Sequence, residues 1–354
     1  MTAFWTEPDY DNHELVQLVR DEARGLTAII AVHSSHLGPG AGGTRVWHYA
    51  QPKDAMRDAL RLSRGMSYKN AMASLPMGGG KAVILADKDR SKTDAMLHAF
   101  ADKVEALGGQ YVTAADVGIS EADIVTMSQR TSYVSGLPIA EGSTGGGDPG
   151  PSTSLGIYQG IKAAVRRKLG HDSLKDVHIA VQGTGSVGGG VARLAAADGA
   201  RLTLADINQD SVSALADELG AAVVAPEAIL SEQCDVLSPN ALGAILNDES
   251  IAQLNTTIVA GGANNQLART EHGVLLAQRD ILYAPDYVIN AGGIISVATE
   301  YLCRRDGLPC KIEDVHARIA QIPARLEEIW TEASKSSLPS DVIADRMAQT
   351  LIGR

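Results

Sequence analysis

Two lysines and one aspartate, one lysine directly after three glycines and the aspartate at the end of a probable strand, are the residues of this chain best placed for chemistry. Lys69 lies in Met66-Ser67-Tyr68-Lys69-Asn70, Lys81 follows Gly78-Gly79-Gly80, and Asp116 ends the run Tyr111-Val112-Thr113-Ala114-Ala115. One ammonium can pair with a substrate carboxylate. A second, its proton affinity lowered by a cationic neighbour and by burial, can act as a base. Two lysines and an aspartate therefore suit an amino acid substrate. Lysines beside glycines also suit plain surface charges on turns, and residue type alone leaves that alternative open. A nucleotide triphosphatase is excluded. Gly80-Lys81 resembles the end of a P-loop, but Leu75 stands where the first glycine belongs and Ala82 where the metal-binding hydroxyl belongs.

A second constellation lies further along. Gly183-Thr184-Gly185-Ser186-Val187-Gly188 sits between a β-branched run, residues 177–181, and an alanine-rich helical stretch, residues 189–198. Residues 200–205 then read as another strand, ending in Asp206. Glycines in a strand-to-helix turn let the backbone approach a pyrophosphate seated on the helix N-terminus. An acid about 20 residues further on accepts the ribose hydroxyls of NAD and repels the extra phosphate of NADP. Ile207, Asn208 and Gln209 supply no cation to clamp that phosphate.

The elements that must position these groups can be traced from the pattern. Residues 26–32 read as a strand, 54–66 as a helix, 82–85 as a strand, 93–107 as a helix and 111–113 as a strand, with the glycine runs at 39–43 and 76–80 read as breaks. The open segment 142–151 reads as a hinge. A helix over 154–168 and alternating strands and helices follow, which predicts a mostly parallel sheet covered on both faces. The expected fold is α/β with three parts: a substrate-binding and oligomerisation domain, 1–142; a Rossmann-type doubly wound NAD-binding domain, 143–330; and a helical segment, 331–354, packing back on the first. At 354 residues, two cores are the default. A net charge of −11 argues against nucleic acid and anionic membranes as partners. Cys234, Cys303 and Cys310 show no metal or disulfide spacing, residues 1–11 lack the apolar core of a leader, and no apolar run spans a bilayer. The expectation is a cytoplasmic enzyme without a metal.

The chain resembles the leucine/phenylalanine/valine dehydrogenases, a branch of the glutamate dehydrogenase superfamily and, within it, most of all the leucine-specific members. The resemblance rests on Leu37-Gly38-Pro39 with Gly42-Gly43-Thr44-Arg45, on Arg64 through Ala71, on Gly78-Gly79-Gly80-Lys81 and on Thr113 through Gly118. It continues through Ala260-Gly261-Gly262-Ala263-Asn264-Asn265-Gln266 and Tyr283 through Gly293. It implies that Lys69 binds the substrate carboxylate with the backbone of Gly42 and Gly43 and the Asn264 side chain. Lys81 is implied as the base that activates water, and Asp116 as the group exchanging protons with the substrate nitrogen. Thr153, Asp206, Ile207, Asn240, Asn264 and Asn290 join the glycine turn as cofactor contacts. A cleft between the domains is expected to close on the substrate. The implied reaction converts an L-amino acid, NAD and water to a 2-oxo acid, ammonia and NADH in a homo-oligomer.

The side-chain pocket of the family maps to Ala41, Met66, Ala114, Ile294 and Val297. Aliphatic side chains without a cation exclude glutamate, whose second carboxylate would be buried unpaired. Ala114, Ile294 and Val297 resemble the leucine-preferring members. Ala41 departs from the leucine usual there and widens the pocket, which leaves phenylalanine as the alternative substrate. A catalytically silent NAD-binding relative is the more distant alternative; it would have no need of Lys69, Lys81 and Asp116 together.

Overall fold

Alternate residues of a single strand bury against different helices, and this organises the first sheet. A computed structural model describes residues 4–89 and 91–354. Residues 1–3, which open both the expected 1–142 domain and the segment 1–11, lie outside the described residues, as does 90. The first sheet contains β1 (Leu15–Asp21), β2 (Leu26–Ser34), β3 (Gly40–Trp47), β4 (Gly78–Leu85) and β5 (Tyr111–Ala115), in the order β1-β2-β4-β3-β5. β2 runs antiparallel to β1 and β4, while β3 is parallel to β4 and β5. The crossovers carry α1 (Pro52–Met72) and α2 (Asp94–Ala106), and α3 (Glu121–Ser128) follows β5. Ile30 and Val32 of β2 pack with Phe100 and Val104 of α2, whereas Ile29 and Ala31 meet Ala55 and Ala59 of α1. With both faces covered, β2 reads as a continuous apolar run rather than an alternating one.

Two segments read as breaks are strands. β3 starts at Gly40 and β4 at Gly78, inside the glycine runs. A Cβ on Gly42 would lie 1.9 Å from the Gly80 carbonyl oxygen, and one on Gly79 would lie 2.1 Å from the Ser67 Oγ. The strands approach each other and α1 so closely that only glycine fits, so the alternating side chains that mark a strand are missing from the sequence.

The second sheet is the expected parallel one. After α4 (Gly150–Leu169) come β6 (His178–Gln182), α5 (Ser186–Ala197), β7 (Arg201–Ala205), α6 (Gln209–Leu219) and β8 (Ala222–Val223). The other half holds β9 (Val236–Pro239), α7 (Asp248–Gln253), β10 (Ile258–Val259), α8 (Glu271–Gln278) and β11 (Leu282–Tyr283). The order β11-β10-β9-β6-β7-β8, parallel throughout, is that of a doubly wound dinucleotide fold, with its switch point between β6 and β9. Then follow α9 (Asp286–Ile289), α10 (Gly292–Arg305), α11 (Ile312–Ile319), α12 (Ile322–Ser336) and α13 (Ser340–Leu351). Among the described residues, no helix is long and apolar enough to cross a membrane.

The compact units differ from the expected boundaries. The first comprises Met1–Asp148, Ser296–Asp314 and Ala348–Arg354; the second comprises Pro149–Ile295 and Val315–Met347. Of the segment 331–354 expected to join the first unit, only residues 348–354 do so. Trp330 of α12 donates its indole N–H to the carbonyl of Tyr283 in β11, and Ser340 at the start of α13 donates to the same oxygen. Both helices are thereby tied to the second sheet. Arg354 instead donates to the carbonyls of Asp11, Asn12 and His33 in the first unit.

Candidate active site

The glycine-rich starts of β3 and β4 are pinned by one side chain of α1. Asn70, fully buried, donates from Nδ2 to the carbonyls of Gly78 at 2.6 Å and Ala41 at 3.3 Å. Sequence reasoning gave Asn70 no role, although it sits next to Lys69 in a segment singled out for chemistry. Around this point the expected substrate residues of the first unit converge. A Cβ on Gly42 would meet Met66 Cγ at 3.0 Å, and one on Gly43 would meet Asp116 Cβ at 2.8 Å. Lys69 and Met66 occupy the last turns of α1 and are half-buried. Ala41 and Ala114 are buried on the paired strands β3 and β5.

Lys81, on β4, is buried with its Nζ 2.7 Å from Asp116 Oδ2. The same carboxylate oxygen accepts from Arg45 Nε of β3 at 3.1 Å. Arg45 continues to α1, donating from Nη1 to Asp58 Oδ2 at 3.0 Å; Tyr49 donates to that oxygen at 2.7 Å and Arg61 to Asp58 Oδ1 at 3.1 Å. Burial pushes the Lys81 ammonium below its ordinary pKa against the opposing pull of Asp116, and Arg45 lowers it further. The expected cationic neighbour of the base is thus an arginine in addition to any lysine. For Asp116, burial alone would raise the carboxyl, but Lys81 and Arg45 outweigh it and hold the group below the usual carboxylate range. A lysine poised to lose its proton against an ionised carboxylate is suited to moving protons on and off a bound substrate. Arg45 and Asp58 lie 13 residues apart and meet only through the fold, so their spacing signals nothing, although Arg45 stands directly after Gly42-Gly43-Thr44.

Val297 is buried on α10 within the first unit, and a Cβ on Gly136 would meet its Cγ1 at 3.6 Å. Ile294 and Asn264 belong to the second unit, where Ile294 is half-buried and Asn264 is exposed. Asn290 donates to Asn264 Oδ1 at 2.8 Å and to the Gly262 carbonyl at 3.0 Å, and the Gly262 N–H donates to Asn240 Oδ1 at 2.9 Å. Asn240, Asn264 and Asn290 therefore form one chain of amides.

At the carboxyl end of β6, Gly183 takes a φ of +82°, a conformation other residues avoid. A Cβ on Gly188 would lie 1.9 Å from the Gly183 carbonyl oxygen, whereas Gly185 faces open space. The N-terminus of α5, formed by Ser186 and Val187, has no side-chain cap. The turn is fastened to Asp206, whose Oδ2 accepts from the Thr184 N–H at 2.6 Å and whose Oδ1 accepts from Asn208 N–H at 2.9 Å. Burial would raise this carboxyl, but those N–H bonds outweigh it and keep the group below the ordinary range. Beside it Ile207 is 90% exposed. Thr153, on the first turn of α4, donates to the Pro149 carbonyl. The buried Asn290 Oδ1 has no hydrogen-bond partner among the described residues. Uncapped N–H groups for an anion, an ionised acid, an open glycine, an exposed apolar face and an orphaned amide oxygen together fit a dinucleotide.

Residues 13–133 match the family model described as "Glu/Leu/Phe/Val dehydrogenase, dimerisation domain", and residues 202–350 match "Glutamate/Leucine/Phenylalanine/Valine dehydrogenase". A leucine dehydrogenase of Geobacillus stearothermophilus is 44% identical over 97% of this chain and 91% of its own length. The chain belongs to the Glu/Leu/Phe/Val dehydrogenase family. Other members similar to it include a valine dehydrogenase of Streptomyces albus, 42% identical over 96% of this chain and 92% of that protein. Among solved structures, the L-tryptophan dehydrogenase from Nostoc punctiforme superposes with a TM-score of 0.84 at 39% identity, covering 96% of each chain.

Proposed function

We propose that this chain catalyses the reversible, NAD-dependent oxidative deamination of an apolar L-amino acid, with leucine and other branched-chain substrates preferred. The observation that carries the reading is the buried Lys81 set against Asp116 at 2.7 Å, next to strand positions such as Gly42 and Gly79 where only glycine fits. Lys69, the backbone of Gly42 and Gly43, and Asn264 take the substrate carboxylate. Ala41, Met66, Ala114, Ile294 and Val297 surround its side chain. The glycine turn from Gly183 to Gly188 takes the pyrophosphate, and Asp206 the ribose hydroxyls, with Ile207 offering an apolar face. Thr153, Asn240 and Asn290 hold the nicotinamide end. When bound, the nicotinamide accepts the hydride that leaves the substrate α-carbon. Lys81, as the free amine, removes a proton from the water that adds to the resulting iminium carbon. Asp116 passes protons to and from the substrate nitrogen, so that ammonia departs and the 2-oxo acid remains.

An aromatic side chain is the second reading, carried by Ala41, where a smaller residue enlarges the pocket. The active species is a homo-oligomer assembled through the unit that matches the dimerisation-domain model. The test is NADH formation at alkaline pH with L-leucine, L-valine, L-isoleucine, L-methionine, L-phenylalanine and L-glutamate, with NADP run beside NAD. Leucine or valine should give the highest kcat/KM, glutamate none, and NADP little. Lys81→Ala should abolish nearly all turnover while NADH binding persists. Substantial turnover by that variant would remove Lys81 from its role, and a wild-type chain inactive with all six would overturn the dehydrogenase reading.

A further inference from the structure

If Lys81 is the base, as proposed above, it has to spend part of each cycle without its proton, and its partner then faces a difficulty. The Asp116 side chain is 23% exposed, and its Oδ2 is the atom Lys81 contacts. Once Lys81 is an amine, a lone carboxylate so poorly hydrated would draw a proton itself, and the couple would stall as a neutral acid beside a neutral amine. A second cation already sits on the same oxygen. Arg45 Nε donates to Asp116 Oδ2 at 3.1 Å, and a guanidinium keeps its charge at every working pH. We propose that Arg45, anchored by Asp58, is a positioning residue for the Lys81–Asp116 couple, remaining as the counter-ion of Asp116 whenever Lys81 is neutral.

The anchor explains why Arg45 stays. Its Nη1 is held by Asp58 Oδ2 at 3.0 Å, and Asp58 is held in turn by Tyr49 and Arg61. Charges therefore alternate from Lys81 through Asp116, Arg45 and Asp58 to Arg61 along β4, β3 and α1. Tyr111 of β5 also faces this line; its buried phenol donates to the Gly42 carbonyl and its pKa is pushed up to about 12, chiefly by burial. Tyr49 is likewise raised, by burial and by its bond to Asp58, so neither phenol adds a charge near neutrality. The two anchored groups act on Lys81 in opposite senses: Arg45 disfavours its ammonium form, and Asp58 favours it.

That opposition gives a test that a purely structural role would not reproduce. kcat/KM for L-leucine would be measured against pH for the wild-type chain, R45K, R45Q and D58N, with folding checked by circular dichroism. D58N removes an anion but keeps an amide oxygen that can still accept from Arg45, so Lys81 loses its proton more readily and the acid limb should move down by about half a pH unit. R45Q removes a cation, so the limb should move up by a similar amount, with kcat lowered at least tenfold. R45K, which keeps the charge, should hold the limb near its wild-type position. Limbs that stay together, or that move in one direction in both D58N and R45Q, would overturn the proposal. If the wild-type chain is inactive toward every amino acid, it is the dehydrogenase reading that fails. The couple is then read from the pH dependence of Lys81 reductive methylation, where opposite displacements in D58N and R45Q are expected and their absence overturns the proposal.

Discussion

Gly42 shows at the scale of one residue how a binding surface and a folding constraint coincide. A methyl group there would meet the backbone of Gly80, which cannot swing aside as a side chain could. Gly42→Ala should therefore destabilise the first unit by about 1–3 kcal/mol, seen as a lowered urea midpoint at unchanged m-value. A variant as stable as wild type would contradict the close approach of β3 and β4. Lys69, Lys81, Asp116 and the Gly183 turn were legible in the sequence because each sits in a local pattern whose chemistry is recognisable. Arg45, Asp58 and Asn70 were not, since their partners are brought to them only by folding. Geometry can also mislead at this scale. Asp11, His33 and Ser67 stand in line, with His33 Nε2 3.1 Å from Asp11 Oδ2 and Nδ1 2.8 Å from Ser67 Oγ. Arg354, which can only donate, lies 2.7 Å from the same Nε2, so the guanidinium and the Asp11 carboxylate compete for one ring nitrogen. Ser67 is fully buried, with no access for a substrate. The line is structural.

Among the elements, α1 runs through Met72, well beyond the expected 54–66, because no residue before Ser74, with its φ of +53°, interrupts it. The additional turns are the ones that carry Lys69 and Asn70. The sequence pattern misses β3 altogether and starts β4 late, at residue 82, since glycine supplies no period-two pattern to recognise. Where side chains alternate or cap, as in the N-cap of α2 at Thr93, expectation and structure agree within a residue or two. α13 carries a cost in its first turn. Asp341 is poorly hydrated there, its Oδ1 lacks a hydrogen-bond partner among the described residues, and burial raises its pKa to about 6 from 3.8. A raised folded-state pKa gives stability that is complete below the unfolded value near 3.8 and is lost as pH rises through 6. Asp341→Asn should thus raise stability at pH 8 by up to about 3 kcal/mol and change it little below pH 4, measured by denaturant titration at both values. Equal effects at the two pH values would show that the carboxyl is not held in this way.

For the whole molecule, the doubly wound sheet was legible from alternating strands and helices, but the division of the chain was not. Sequence segments suggest domains that follow one another, whereas three separate stretches build the first unit here. Nothing local distinguishes residues 331–347 from 348–354; what separates them is that Trp330 and Ser340 bond to Tyr283, while Arg354 bonds to His33 and its neighbours. This last attachment gives the first unit a dependence on acid. Burial, reinforced by the Arg354 guanidinium, lowers the His33 pKa to about 4 from 6.5. The depressed value means the unfolded chain binds the proton first, so stability is intact above pH 6.5 and falls as pH drops toward 4. The loss should reach up to about 3 kcal/mol, and His33→Gln should flatten the pH dependence of the urea midpoint across that window. An unchanged slope in the variant would assign the acid sensitivity elsewhere.

The three-part make-up of the first unit also sets an order in time. During synthesis at about 5–20 residues per second, the stretch from Asp148 to Ala348 takes on the order of 10–40 s to emerge. β1 through β5 are therefore made long before residues 348–354 of the same unit. The second unit has all its residues at Met347, and the first only with residues 348–354. Within these residues, the strands made first share a unit with the stretch made last, the one that brings Arg354 to His33.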